Sequence, residues 1–273
     1  MGLKHSYTKE ESNFITTNYP VFGSTYIIKQ LNITYNKLNS FIHLNKLKIN
    51  RNEINIDLKN KYLCYVLGII WADGTVSHKE IGRIHIKLVK EDIENIEWVF
   101  LKLGTWKKIL CKGKNSWKDT IRLSKSDKKF KQFLFDNDYD KKSYASPDKI
   151  LELIPEKNIK YFLRGIFDGD GCFFVKNYER NDGTKRQAFI SSTYEQDWKY
   201  MEDICNKINC KFKIKRIINN KQKNYKSSCF AISSGDIIRF GNYIYEDFFG
   251  LDRKYKKFIE IKESYIYLKC RHD

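Results

Sequence analysis

The sequence predicts an α+β chain: two pseudo-symmetric αββαββα repeats forming a β-saddle, preceded by a small three-helix domain of helix-turn-helix type. Three observations carry that reading. A short apolar helix pattern closing on Asp-Gly occurs twice. A polar/apolar alternation of strand type follows each copy. The order helix, two strands, helix, two strands, helix then runs through both halves, as internal duplication produces. The predicted domains are residues 1–50 (helix-turn-helix), 51–60 (linker), 61–145 (first repeat), 146–157 (inter-repeat linker) and 158–273 (second repeat with a C-terminal helix).

The first unit opens with Thr8 and, three residues on, Glu11, a capping box for a helix to about Asn18. Pro20 and Gly23 are expected to break it. A second helix, about Ser24 to Leu31, gives way at Asn32-Ile33 to a third, about Thr34 to Leu47. In a helix-turn-helix the last of these enters the major groove, which makes Tyr35, Asn36, Lys37 and Asn39 candidates for base contact. The alternative is a three-helix cap that only packs on the rest. Residues 50–60 are polar with weak periodicity and read as connection.

Residues 62–76 (YLCYVLGIIWADGTV) and 161–174 (YFLRGIFDGDGCFF) superimpose with Gly68 on Gly165, Asp73 on Asp170 and Gly74 on Gly171. A mid-helix glycine costs roughly 1 kcal/mol against alanine, so a matched pair implies close helix–helix approach. Gly74 and Gly171 are expected to close the helices in the left-handed conformation. If the copies pack on each other, two carboxylates meet at negative helix ends. A divalent cation between them makes that tolerable, and hard oxygen ligands suit magnesium.

Arg83 to Leu88 alternates and reads as a strand, with Thr75 to His78 as its hairpin partner. A helix over Glu91 to Leu103 and strands over Trp106 to Cys111 and Trp117 to Ser124 follow. In the last, Lys118, Thr120, Arg122 and Ser124 share one face opposite Trp117, Ile121 and Leu123. A helix from Asp127 to about Asn137 closes the repeat. In the second half the signature helix spans about Asn158 to Asp170. Strands follow over Cys172 to Tyr178 and Gln187 to Ser192, with a turn around Asn181-Asp182-Gly183. A helix then covers Glu195 to Ile208. Lys211 to Lys215 puts three lysines on one strand face. Tyr225 to Ser233 is the fourth strand, Gly235 to Tyr245 the closing helix, and Leu251 to about Leu268 a last helix.

Lysine and arginine total 51 against 33 acids, a net charge of +18. That surplus points to a polyanion, although abundant Lys, Asn, Ile and Tyr also fit the codon bias of an A+T-rich genome. Seven cysteines with no C-x-x-C pair read as reduced thiols, and five scattered histidines give no zinc spacing. No apolar run approaches the roughly 20 residues that span a membrane, and the first residues carry no signal region. The expected setting is intracellular (cytoplasm, nucleoid or an organelle) rather than secreted, with no membrane partner.

Val66–Gly74 and Leu163–Gly171, with 97 residues from Asp73 to Asp170, resemble the paired signature helices of single-chain LAGLIDADG homing endonucleases. Trp71 replaces the sixth signature residue in the first copy, whereas Asp168 keeps it in the second. The resemblance implies a monomeric, site-specific endonuclease that hydrolyses both strands of a long DNA target. Metal (Mg2+ or Mn2+) would be held by Asp73 and Asp170, with backbone carbonyls at Ala72 and Gly169 as helpers. It also implies a basic residue near each site just after the closing helix; Lys142 and Lys254 are the matches, with Lys141, Arg253 and Lys256 as adjacent competitors. Double-stranded DNA would lie on the saddle, against Arg83, His85, Lys87, Lys118, Arg122, Gln187, Lys211, Lys213 and Lys215. The alternative within the fold is an intron maturase, with intron RNA as partner, or a DNA-binding regulator that does not cut.

Overall fold

The computed structural model describes residues 7–47, 53–76, 83–113, 117–178, 183–218 and 226–269. The chain divides into two compact units, residues 1–52 and 53–273.

The first unit has two described helices, α1 (Lys9–Leu31) and α2 (Tyr35–Leu44), not the three expected. The capping box at its start is present: the Glu11 amide donates to Thr8 Oγ1 at 3.1 Å, and the Thr8 amide to Glu11 Oε2 at 2.9 Å. Pro20 lies inside α1 without ending it. An interior proline costs about 3 kcal/mol through one lost hydrogen bond and a ring clash. Here Ile15 and Tyr19 before it and Ile27 beyond it pack in one core with Leu38 and Ile42, which breaking the helix would divide. Asn32 in the left-handed region (φ 49°) ends the helix, and Thr34 Oγ1 caps α2 by accepting from the Lys37 amide. The turn is thus the short one expected, between two helices.

In the second unit, residues 53–60 are docked instead of linking freely. Ile54 is buried and its amide donates to Asp127 Oδ2 at 2.7 Å; Asn158 Nδ2 donates to the Leu58 carbonyl at 2.8 Å. Asp127 also caps the helix that begins at Lys128, accepting from the Phe130 amide. The apolar Ile54, Ile56 and Leu58, alternating with polar residues, are what the polar reading of this stretch misses.

The repeats follow in the expected order: α3 (Lys61–Asp73), β1 (Gly74–Val76), β2 (Arg83–Val89), α4 (Lys90–Leu101), β3 (Lys107–Cys111), β4 (Thr120–Ser126) and α5 (Lys128–Asp136). After α6 (Asp148–Leu153) come α7 (Glu156–Asp170), β5 (Gly171–Tyr178), β6 (Gly183–Ser192), α8 (Lys199–Lys207), β7 (Phe212–Ile218), β8 (Lys226–Ser233), α9 (Asp236–Ile244) and α10 (Asp252–Lys269). The sheets are antiparallel, in the orders β1-β2-β4-β3 and β5-β6-β8-β7. Each buries one face under helices in a single core. Among the described residues no helix is long and apolar enough to cross a membrane.

Several boundaries move. The inter-repeat connection contains α6, whose Ile150 is buried. Trp117 is 80% exposed, not inward-facing, because β4 begins only at Thr120, after the Gly113 amide has bonded Asp119. Lys118 likewise precedes the strand. Residues 193–198 do not join α8; Ser228 Oγ ties them down, accepting from Trp198 Nε1 at 3.0 Å and donating to the Tyr194 carbonyl at 2.9 Å. The expected Ser77, His78, Asn181, Asp182 and Tyr225 positions lie outside the described residues.

The two signature helices α3 and α7 form the axis between the repeats. A Cβ on Gly68 would run into the Phe162 carbonyl and come within 2.9 Å of the Gly165 Cα; one on Gly165 would run into the Tyr65 carbonyl. Backbone therefore lies on backbone, as the matched glycines imply. Gly74 and Gly171 differ from expectation: both are extended (φ −80° and −75°), not left-handed. Glycine is needed there because a side chain would collide with Ile70 or with the Phe167 ring one turn back.

Candidate active site

The glycine contact brings the C-terminal ends of α3 and α7 side by side, and Asp73 and Asp170 are the last residues of these helices. The Asp73 carboxylate lies against the other helix: a Cβ on Gly169 would sit 2.9 Å from its Oδ2. Burial first, and the neighbouring Asp170 charge second, push the Asp73 carboxyl up to about 6. Lys142, Lys254 and Arg253 oppose that rise. Asp170 is also raised by desolvation and lowered by Lys142 and Lys254. It keeps a solvent-exposed edge, where water screens its charge.

Each helix end receives a lysine. Lys142 Nζ donates to the carbonyls of Ile70, Trp71 and Ala72 at 3.1, 2.8 and 2.7 Å. A cation on the last carbonyls of a helix offsets its dipole. Burial lowers the Lys142 ammonium to about 8, against the raising effect of Asp170 and Asp73. Lys254 Nζ donates to the Gly171 carbonyl, and burial followed by the Arg253 charge lowers it too. Two of the three competing cations are engaged elsewhere: Lys141 with Asp138 at 3.2 Å, and Arg253 with both oxygens of Asp92 at 2.7 and 2.8 Å. The Ala72 carbonyl, expected beside a metal, already accepts from Lys142.

A cleft of about 250 Å³ opens beside Asp170 and Lys142, walled by Ser191, Ser192, Thr193 and Tyr194. Tyr194 ties the second repeat to the last residue of the first, its hydroxyl donating to the Ala145 carbonyl at 2.9 Å.

Two residues with large roles in positioning the site are given none from the sequence: Arg164, and Asp168, which stands there only as the kept sixth signature residue. Arg164, fully buried, donates from Nε to the Ile244 carbonyl and from NH1 to the carbonyls of Asp247 and Phe249 at 3.2 and 3.1 Å. Asp168, also fully buried, accepts from Tyr65 at 2.9 Å, Tyr245 at 2.8 Å and the Leu251 amide at 2.9 Å. Together they fix the segment that delivers Lys254. A charged pair spaced i, i+4 inside the otherwise apolar stretch 161–168 was the signal available.

On the first sheet, Arg83, His85 and Lys87 alternate with buried Ile84, Ile86 and Leu88, and His85 and Lys87 stand opposite Ser124 and Arg122. Lys107 joins the same face through its pairing with Ser124. Arg122 Nε and His85 Nδ1 have no protein partner among the described residues. Burial, then the Arg122 and Arg83 charges, hold the His85 imidazole below its ordinary range. On the second sheet Gln187, Lys213 and Lys215 share the outer face; Lys211 lies just before β7. In the first unit, Tyr35 and Asn36 are exposed at the start of α2, with Lys37 and Asn39 half-buried.

No family model and no curated protein matches this sequence. Among solved structures the chain is similar to the LAGLIDADG homing endonuclease I-GzeII in complex with its DNA target, at TM-score 0.48 and 14% identity, over 78% of this chain and 92% of that one. It is similar to I-DmoI in complex with DNA and Mn, at TM-score 0.43 and 16% identity, over 69% and 97%. A third similar structure is the N-terminal LAGLIDADG domain of WhiA, at TM-score 0.43 and 16% identity, over 71% and 86%. All three of these solved structures are LAGLIDADG proteins, and the likeness lies in the fold.

Proposed function

We propose that the chain is a site-specific, double-strand DNA endonuclease of the homing-endonuclease kind, acting as a monomer with one signature acid assigned to each strand. The observation that carries this reading is the seam. Two carboxylates from different repeats are forced together by glycine-packed helices, and a lysine is delivered to each helix end. Their raised carboxyl values mark a cost to the fold, so stability does not account for the arrangement.

The donor set fits magnesium or manganese. Two hard carboxylates lie at one seam, near enough for the Asp170 charge to raise Asp73, and no group of three or more His, Cys, Asp or Glu gathers among the described residues. The remaining positions would fall to carbonyls such as Gly169, to water and to phosphate oxygens, as is usual for magnesium. A cation held there supplies charge neutralisation on the phosphate and a more acidic water. Asp73 and Asp170 would hold it. Lys142 would keep its proton on Nζ at neutral pH and stabilise charge developing on phosphate oxygens, and Lys254 would do so at the other helix end.

The net charge of +18 favours a polyanionic partner. Arg83, His85, Lys87 and Arg122 of the first sheet and Gln187, Lys213 and Lys215 of the second would line the duplex, with Lys118 and Lys211 at its margins. Tyr35, Asn36, Lys37 and Asn39 would give a second contact through α2.

The test is digestion of a randomised duplex library with magnesium or manganese, followed by sequencing of the ends. Asp170→Asn should lower double-strand breaks on the order of 100-fold, leave nicks in one strand and change affinity by less than about twofold. Full double-strand cleavage by that variant would sink the assignment of one acid to each strand. Binding with no cleavage by the unaltered chain would leave the regulator or maturase reading.

A further inference from the structure

We infer that the two sheets read opposite base chemistries, the second selecting thymine methyl groups through Phe189, Cys172 and Cys229. This rests on the DNA-binding reading above and adds the composition of each half of the target.

Register places equivalent rows of side chains on the two sheets. Counted from the signature acid, Thr75 and Cys172 hold the same place, two residues past Asp73 and Asp170. Across the first sheet that row runs Thr75, His85, Ser124, Lys107. Across the second it runs Cys172, Phe189, Ala231, Lys213. In the next row Lys87, Arg122 and Ile109 correspond to Ser191, Cys229 and Lys215. The interior of one surface is therefore cationic and polar, and that of the other is uncharged and largely apolar around Phe189, with Ser191 and Gln187 as its polar members and its cations on the β7 edge.

The apolar row is on the outer side. Phe173, Ala188, Ile190, Phe230 and Ile232 fill the core, and Cys172 and Phe189 alternate with them along their strands. Phe189 is half-buried without belonging to that core, and Cys172 and Cys229 are half-buried free thiols.

A half-exposed phenylalanine two strands from an edge of lysines suits a partner that is apolar in small spots and anionic around them. Duplex DNA has that pattern: thymine presents a C5 methyl in the major groove, flanked by phosphates. A protein partner would call for a larger contiguous apolar patch. On the first sheet, Arg122, Lys87 and Lys107 match the O6 and N7 acceptors of guanine.

The experiment is selection of bound duplexes from a randomised library by the full chain in EDTA, then a scan replacing each thymine by deoxyuridine. One half of the selected site should be rich in A·T. Each methyl removed there should weaken binding about fourfold, the effect of one buried methyl group, whereas replacements in the other half should change it less than twofold. Phe189→Ser should relax preference in the methyl-sensitive half, and Arg122→Ala in the other. Indifference to every methyl, or preferences unmoved by Phe189→Ser, would overturn the inference; the face would then serve another partner, such as a protein. The deoxyuridine arm uses the unaltered chain, so a misfolded variant cannot decide it. Enrichment of no duplex would overturn the DNA-binding reading and this inference together; enrichment without the thymine pattern overturns this inference alone.

Discussion

At the sixth signature position the two repeats solve one packing problem with different chemistry. Trp71 stacks edge-on against Tyr139, ring centroids 4.9 Å apart, and the Tyr139 hydroxyl bonds the Leu67 carbonyl. Asp168, at the same place on α7, instead collects three donors, with Arg164 one turn earlier gripping the segment after α9. The first arrangement is an aromatic contact with one neutral hydrogen bond. The second is a buried ionic network that one bond of Tyr65 extends across the seam. The polar network sits where the chain has further to travel: Lys142 lies three residues beyond Tyr139, but Lys254 lies nine beyond Tyr245. Directional bonds specify the course of such a segment more narrowly than apolar packing does.

The glycine contact is the part the repeats share, and breaking it should have the largest effect. Gly68→Ala and Gly165→Ala each place a Cβ on a backbone carbonyl of the facing helix, which cannot swing aside. Each should cost about 3 kcal/mol or more in urea unfolding, at or beyond the usual overpacking range. Gly235→Ala, where an added Cβ meets open space, should stay within about 0.5 kcal/mol. A mild effect at Gly68 alone would show that the seam is asymmetric even in its backbone.

That contact is legible in the sequence because it needs one residue type at one spacing: nothing but glycine allows two helix backbones to touch. The alternation in Arg83–Leu88 is legible for a similar reason, since each residue's face follows from its parity. Pro20 misleads because its local cost is set against a burial pattern involving Leu38 and Ile42, which lie beyond the turn. Arg164 and Asp168 read as two charges on a signature helix until the chain beyond α9 folds back onto them. The outer row of the second sheet depends on register with β7 and β8, which lie 40 or more residues from Cys172 along the chain, and no local pattern reveals it.

The signature acids sharpen the comparison through pH. Asp73 is held at about 6 against an ordinary 3.8, so the folded chain binds a proton there more readily than the unfolded one. Its contribution to stability is fully present below about pH 4 and is lost as pH rises through 6. Removing the charge with Asp73→Asn should therefore stabilise the metal-free protein by about 1–2 kcal/mol at pH 8, after allowance for partial exposure. That gain should shrink through pH 6 and vanish near pH 4. Asp170→Asn, with its exposed edge, should gain less. Magnesium should raise the melting temperature of the unaltered protein and close the gap to the Asp73→Asn variant. A gap that persists at pH 4 would mean that its origin is not the buried charge.

The smallest effect is the most direct measure of the difference between the clamps. Tyr139→Phe removes a neutral hydrogen bond to the Leu67 carbonyl, a loss of about 1 kcal/mol. Tyr245→Phe removes a donor from a buried carboxylate, a loss of about 2 kcal/mol, because bonds to charged groups are stronger. The pH dependence separates them further. Burial raises Asp168 to about 6, and the Tyr245 hydroxyl, with the Leu251 amide and Tyr65, restrains that rise. Without Tyr245 the carboxyl would rise higher still, so the deficit should be greater at pH 8 than at pH 5, where the group is largely protonated in both proteins. Tyr139→Phe touches no titrating group with that range, and its deficit should be flat over the same interval. Equal, pH-independent deficits would mean that Asp168 bears no charge in the fold, and that the two repeats differ in shape and not in electrostatics.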